Sequence, residues 1–406
     1  MQPVSQAVLM ESFPPARRGV AMAFYGFGVI FAPIIGPVLG GWIIDNYSWR
    51  WIFFINLPVS VLALMLVQSF LEDPPYIRSA RVARVDYIGL GLLAVWVGSL
   101  IVMLDKGQED DWFSSRLICV LMVLFVLGLV AFVYWELYAR DPIVNLRILR
   151  NRNFSIGSSL GTAVGAVMFG CTAMLPLFLQ TLLGYPATKS GWAMAPRGVG
   201  ALVGMIVIGR VITVVDPRWM VAIGFAILGY STYALGGLNL EIAPVNVIWP
   251  NILNGLATGL IFVPLTVITM GTLHNEEMGN AAGIYNLLRN IGAAIGIAMV
   301  ATLLARGGQI HQSQLVTHMT PYDVAYQQHL HTAQNALTSR LGSFEAGQKA
   351  QALMGAQVAR QSALWSYVDN FRLLALLSAT CIPGVLFLRK LRHREASGMA
   401  PPARKH

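Results

Sequence analysis

Arg289 is the one basic residue set well inside a long apolar run, Asn280–Leu304. A charge at the centre of a bilayer costs roughly 2.5–3.5 kcal/mol even on insertion scales, so it needs a partner or a wet cavity and is a functional candidate by default. Asn286 lies one turn away on the same helical face. Together they could gate a polar path or contact a ligand. The plainer reading is snorkelling, or an interhelical hydrogen bond near the rim. Tyr25, Gln180, Asn254, Phe262, Thr266, Thr269 and Tyr285 also fall within apolar runs. Aromatic walls with a few polar groups suit a small amphipathic molecule, although each residue alone also reads as packing between helices.

Proton-coupled chemistry would need a carboxylate deep inside a span. Asp45, Glu72, Asp86, Asp105, Glu136, Asp216 and Asp369 all sit near span ends or in loops. Glu136 comes nearest, but Tyr138-Ala139-Arg140 follows it, and it reads as interfacial. No P-loop, H-E-x-x-H or G-x-S-x-G occurs, so ATP-driven and hydrolytic chemistry lack their residues. His274, with Glu276 and Glu277, reads as a solvated turn. Cys119, Cys171 and Cys381 lie in apolar runs and read as small packing residues, with neither disulfide nor metal spacing. No enzyme, metal or cofactor is expected.

The elements that must position these residues are membrane spans. The 406 residues are 56% hydrophobic and 12% charged, about half the charge of a soluble domain. Apolar blocks of bilayer-crossing length run approximately Val20–Ile44, Trp51–Leu71, Tyr87–Leu104, Leu117–Leu137, Phe154–Leu183, Trp192–Val214, Trp219–Leu238, Asn246–Met270, Asn280–Leu304 and Asn370–Leu388. Lipid leaves backbone polar groups unsatisfied unless the chain is helical, and the alternating segments of a membrane barrel are absent. The expected fold class is therefore an all-α membrane protein, a helical bundle of about ten full transmembrane helices. Met1–Met10 lack a basic start and a long apolar stretch, so no cleavable signal peptide is expected.

The formal net charge of +9 follows topology, and no basic ladder with interleaved aromatics suggests nucleic acid. With Pro14–Arg18 inside, inner segments hold 17 Lys and Arg against five outside: Arg50, Lys106, Arg116, Lys189 and Arg197. That bias predicts two cytoplasmic termini in a cell inner (plasma) membrane. One long outside loop, about 306–369, carries His311, His318, His329 and His331. It reads as a solvated, partly helical hairpin, with a contact surface or metal cluster as the alternative.

Small-x-x-x-small pairs recur at Gly36/Gly40, Gly157/Gly161/Gly165, Gly200/Gly204, Gly255/Gly259 and Gly292/Gly296, spacing that lets helix backbones approach closely in lipid. The block Ala32-Pro33-Ile34-Ile35-Gly36-Pro37-Val38-Leu39-Gly40-Gly41 resembles the antiporter motif in the fifth helix of major facilitator drug exporters, with Ala32 where many members have Gly. Asp45-Asn46-Tyr47-Ser48-Trp49-Arg50-Trp51-Ile52-Phe53-Phe54-Ile55-Asn56-Leu57-Pro58 resembles the loop and helix that follow. Further matches are Leu175–Gln180 with Gly184-Tyr185, Ala195-Pro196-Arg197-Gly198, Asp216–Trp219, Phe262–Thr266 and Asn286–Gly292. Together they resemble the Emr/Qac-type branch, the fourteen-helix drug:proton antiporters.

The resemblance implies a multidrug efflux transporter that exports amphipathic drugs in exchange for protons by alternating access, with the proton as coupling ion and no other cofactor. Pro33, Gly36, Pro37, Gly40 and Gly41 would pack and seal a helix interface. Hydrophobic or amphipathic small molecules and the lipid bilayer would be its partners, with a periplasmic membrane-fusion adaptor and an outer-membrane channel expected by extension. The resemblance begins at Gln2–Phe13, partway down the family's fourth helix. The chain is therefore expected to be N-terminally truncated, lacking the first three helices and most of the fourth. Its expected units are 1–71, the rest of an N-terminal bundle; 72–139, two linker helices; 140–390, a C-terminal six-helix bundle; and 391–406, a basic tail. The alternative is a non-transporting membrane scaffold or an inactive fragment.

Overall fold

A computed structural model describes residues 35–70, 86–139, 142–211, 215–243, 245–273, 277–317, 319–320, 322–338 and 342–389. Among them there is no strand. In chain order the helices are α1 (35–46), α2 (Trp51–Phe54 continued by Asn56–Phe70), α3 (Tyr87–Lys106), α4 (Arg116–Tyr138), α5 (Arg152–Thr181), α6 (Ala187–Met194 continued by Pro196–Val211), α7 (Pro217–Leu235), α8 (Val245–Met270), α9 (Met278–Val316), α10 (Val324–Thr338) and α11 (Ser343–Leu386). Eight of these, α2–α6, α8, α9 and α11, are long and apolar enough to cross a membrane. Of the other two expected spans, the first is described only from residue 35. The second is α7, whose Gly, Tyr, Ser and Thr dilute its hydropathy while its body packs deep in the bundle.

The core lies among α5, α6, α7, α8, α9 and α11. Phe154, Phe178, Phe225, Phe371, Leu228, Ile261 and Leu265 are essentially inaccessible there. Glycines set the helix spacing. A Cβ added at Gly200 would overlap the Ile252 carbonyl of α8, and one at Gly255 would overlap the Arg197 carbonyl of α6. Gly292 and Gly296 on α9 stand in the same relation to Thr162 and Ala166 of α5. Backbones this close gain dispersion contacts that lipid does not supply.

Side chains close the helix ends. Asn151 accepts from the N–H groups of Asn153 and Phe154 to cap α5, and Asp216 accepts from Arg218 N–H ahead of α7, where Pro217 takes the first turn. At the far end of α11 the unpaired carbonyls left by any helix terminus are taken up by neighbours. Arg152 donates to Phe387 O, Arg218 donates to Leu388 O, and Asn153 exchanges two bonds with the Arg389 backbone. The basic residues of this rim thus stitch α5, α7 and α11 together.

The α3/α4 hairpin packs on itself around Trp96, Ile118 and Phe132 and leans on Leu287 and Ile291 of α9. Its ends are tied by Trp135 Nε1 donating to Asp86 at 2.8 Å and by Val144 N–H donating to Glu136 at 3.2 Å. Glu136 is 4% exposed, packed against the hairpin base in the last turn of α4. The long outside loop is mostly helix. α9 has 39 residues and α11 has 44, about 58 and 66 Å at 1.5 Å per residue, roughly twice a bilayer core of about 30 Å. Both run past the bundle, and α10 lies against α11. His311 Nε2 meets Asp369 Oδ2 at 2.8 Å and joins the two extensions.

Candidate functional site

Four helices, α5, α6, α8 and α9, carry no Asp or Glu anywhere in their length, yet a band of polar and aromatic side chains runs across them. α5 and α9 run parallel, with Gly161, Gly165 and Gly170 opposite Tyr285, Arg289 and Val300. α8 runs antiparallel to α5, since Thr269 meets Gly157 while Thr258 meets Met168.

Five of the expected residues come together where these helices meet. Arg289 places its guanidinium over the Phe262 ring, 5.1 Å from the centroid, a cation–π contact that strengthens when water is excluded. One helical turn along α8 from Phe262, Thr266 donates to Phe262 O at 2.7 Å. Tyr285 is 3% exposed, its ring seated in the notch left by Gly161. Thr269 is fully buried, donates to Leu265 O and fills the notch at Gly157. Phe262, Thr266 and Arg289 are half-buried, so this face is open on one side. The Arg289 Nε is buried with no hydrogen-bond partner among the described residues.

The remaining expected residues lie apart. Asn286 donates to Ala282 O on its own helix. Gln180 is exposed near the end of α5. Asn254 lies two turns from Phe262 along α8, 1% exposed, with neither amide atom bonded among the described residues. Tyr25 and Pro33 lie outside the described residues, as does His274.

Arg197, counted on the outer side from the sequence, lies at the start of the second segment of α6, Pro196–Val211. It stands ten residues into the 25-residue span Ala187–Val211, directly after the helix break at Ala195. Its Nη1 donates to Thr172 Oγ1 on α5, and its Nη2 is buried without a partner among the described residues. The break at Pro196 is packed against α8, where Asn251 donates to Ala193 O at 3.2 Å and Gly255 accommodates the Arg197 carbonyl.

The glycine-proline block meets α6 at its start. Gly191 admits the Pro37 carbonyl, and Gly41 admits the Ala187 carbonyl. Gly36 and Gly40 face open space among the described residues. Beyond the span, Asp45 accepts from Ala187 N–H at 3.1 Å and from Thr188 N–H at 2.7 Å, the position of an N-capping carboxylate. The Thr188 side chain and backbone, with the Ala187 N–H, hold its carboxyl below the usual carboxylate range against a small opposing effect of burial.

A profile of the Major Facilitator Superfamily matches residues 1–297. The fatty acid resistance protein FarB of Neisseria gonorrhoeae is 36% identical over 323 residues, covering 79% of this chain and 63% of that protein. The multidrug export protein EmrB of Haemophilus influenzae is 35% identical over 332 residues, covering 81% and 64%. EmrB of Escherichia coli K12 is 36% identical over 326, covering 79% and 62%. The chain thus spans a little under two thirds of the length of these relatives. In fold it is similar to a bacterial homologue of the human lysosomal transporter Spinster, crystallised inward-facing and occupied, with a TM-score of 0.50 and 15% identity over 96% of this chain and 74% of that one.

Proposed function

The chain belongs to the Major Facilitator Superfamily, and from that premise we propose that it is a multidrug efflux transporter, exporting amphipathic molecules in exchange for protons by alternating access. The observation that carries the reading is the open face where Phe262, Thr266, Tyr285 and Arg289 converge on α8 and α9. It offers an aromatic wall, two hydroxyls and a cation at the depth where transporters of this architecture hold substrate. The names of relatives at 34–36% identity, which include multidrug export and fatty acid resistance, support a substrate that is apolar over most of its surface.

The protein resides in the inner membrane with both termini cytoplasmic, an orientation supported by the basic rim at Arg152, Arg218 and Arg389. The proton is the only coupling species and no cofactor takes part. α1 seals against α6 through Gly41, Gly191 and Asp45, and releases when the site opens to that end. The α9–α11 extensions, which rise beyond the bilayer on the opposite side from the basic rim, offer the surface for a periplasmic adaptor that leads to an outer-membrane channel. The test is drug susceptibility of an efflux-deficient host expressing the 406-residue chain or its Arg289→Ala variant. Protection by the first and loss in the second is expected. Equal susceptibility with and without the chain refutes export by it.

A further inference from the structure

A second cation, Arg197, lies within a helix long and apolar enough to cross a membrane. Thr258 on α8 touches Met168 on α5, their polar atoms 3.7 Å apart. Because the two helices are antiparallel, one turn further on Asn254 lies level with Thr172, the residue that accepts from Arg197. Gly255, next to Asn254, is packed directly on the Arg197 backbone. Arg197, Asn254 and Thr172 therefore share one level of the bundle.

At that level three polar atoms are buried without a hydrogen-bond partner among the described residues: Arg197 Nη2 and both amide atoms of Asn254. Asn254 is 1% exposed. Buried polar groups are paired in the great majority of cases, and leaving one unpaired costs about 1–3 kcal/mol, more when it is charged. No carboxylate on α5, α6, α8 or α9 answers either Arg197 or Arg289. Two of the three are donors, a guanidinium N–H and an amide N–H, and suit an acceptor-only oxyanion; the third, Asn254 Oδ1, is an acceptor that a water or a hydroxyl would satisfy.

We infer that Arg197, Asn254 and Thr172 form a binding subsite for the anionic headgroup of an amphiphile, with its apolar tail lying along the α8 face toward Phe262. Arg197 supplies the charge through Nη2 while Nη1 is held by Thr172, and Asn254 Nδ2 supplies a neutral donor. The inference rests on the transport reading for its purpose, and on the geometry alone for its binding.

Binding is measured without transport, on the purified 406-residue chain in phosphatidylcholine nanodiscs. Three ligands with one tail are compared: dodecanoate at alkaline pH, dodecanol and dodecyltrimethylammonium. Dodecanoate is expected to bind saturably and most tightly. Arg197→Gln is expected to weaken it roughly tenfold or more, the loss typical of a charge-assisted hydrogen bond, with dodecanol unchanged. Asn254→Asp places a carboxylate at the level of the guanidinium and is expected to weaken dodecanoate about as much, in a variant that keeps side-chain volume. Dodecanoate and dodecanol binding alike, or dodecanoate affinity unchanged in both variants, overturns the subsite. Retained binding alongside absent efflux would leave the subsite standing and refute the transport reading.

Discussion

Gly255→Ala is the sharpest test of how α6 and α8 are held. The added methyl would overlap the Arg197 carbonyl oxygen, and it would also stand 2.8 Å from the Arg197 carbonyl carbon and 2.9 Å from Ala201 N. Ordinary contact begins at 3.4 Å, so these backbone atoms must retreat by about half an ångström or more. A helix backbone has no rotamer with which to give way, and the shift must separate the two helices. Overpacking costs about 1–3 kcal/mol, against roughly 0.8–1 kcal/mol gained when alanine replaces glycine in a helix. The net expectation is a loss of up to about 2 kcal/mol. Two further sites calibrate it. At Gly259 the methyl would meet Ala201 O and Gly204 Cα at 3.0 Å, a smaller overlap, while at Gly283 none of the described residues lies within 4 Å. Thermal unfolding in a single detergent should rank Gly283→Ala at or above wild type, then Gly259→Ala, then Gly255→Ala. If Gly255→Ala melts with Gly283→Ala, the α6/α8 seam is not where stability resides and the close approach drawn here is wrong.

Asp45→Asn should lower the melting temperature near neutral pH. The folded carboxyl titrates below its unfolded value near 3.9, so its stabilisation is present above that value and is lost as pH falls through the folded one; the difference between wild type and variant should close on acidification, and a pH-independent gap would refute the cap. Arg289→Ala should reduce efflux at least tenfold, with Arg289→Lys intermediate and Phe262→Leu milder. Thermal unfolding should change little, and wild-type efflux by Arg289→Ala would remove this face from the substrate path. Of the three cysteines only Cys119 is exposed, so maleimide should add one label to the folded chain and none to Cys119→Ser. An impermeant reagent should reach it from outside intact cells, and labelling confined to inverted vesicles would reverse the proposed orientation.

The helices were legible because lipid leaves the chain no other way to satisfy its backbone, and apolar length alone then marks most spans. α7 was found by its apolar run although its Gly, Tyr, Ser and Thr bring it below the hydropathy of its neighbours, since that run still lies between Arg218 and a polar turn. The 306–369 segment was harder to read. Its polar, Gln- and Ala-rich composition marks solvent exposure, but composition does not say that α9 and α11 continue unbroken into it, because Ala and Gln are good helix formers that a polar loop also uses. Pro196 before Arg197 and Lys189 upstream look like a loop boundary, yet proline at the first position of a helical segment is well tolerated, and helix lies on both sides of Ala195. The convergence of Phe262, Thr266, Tyr285 and Arg289 was half legible: i, i+4 spacing pairs residues within each helix, but the relative register of α8 and α9 is set by tertiary contacts.

Those contacts are made by glycine. Gly157, Gly161 and Gly165 form one stripe on α5, and each faces a residue of the candidate site: Thr269, Tyr285 and Arg289 respectively. At Gly161 a methyl would come 2.8 Å from the Tyr285 ring, so the depth of that ring depends on the absence of a side chain opposite. At Gly165 the atom accommodated is the Arg289 carbonyl, which fixes how far the arginine's own backbone sinks toward α5 and therefore where its guanidinium meets Phe262. The stripe that reads as generic small-residue packing thus sets the register of the polar face. A loss of function at these glycines would carry a different meaning from one at Arg289: the chemistry would remain while its placement was lost. The two cases separate by whether stability falls together with efflux.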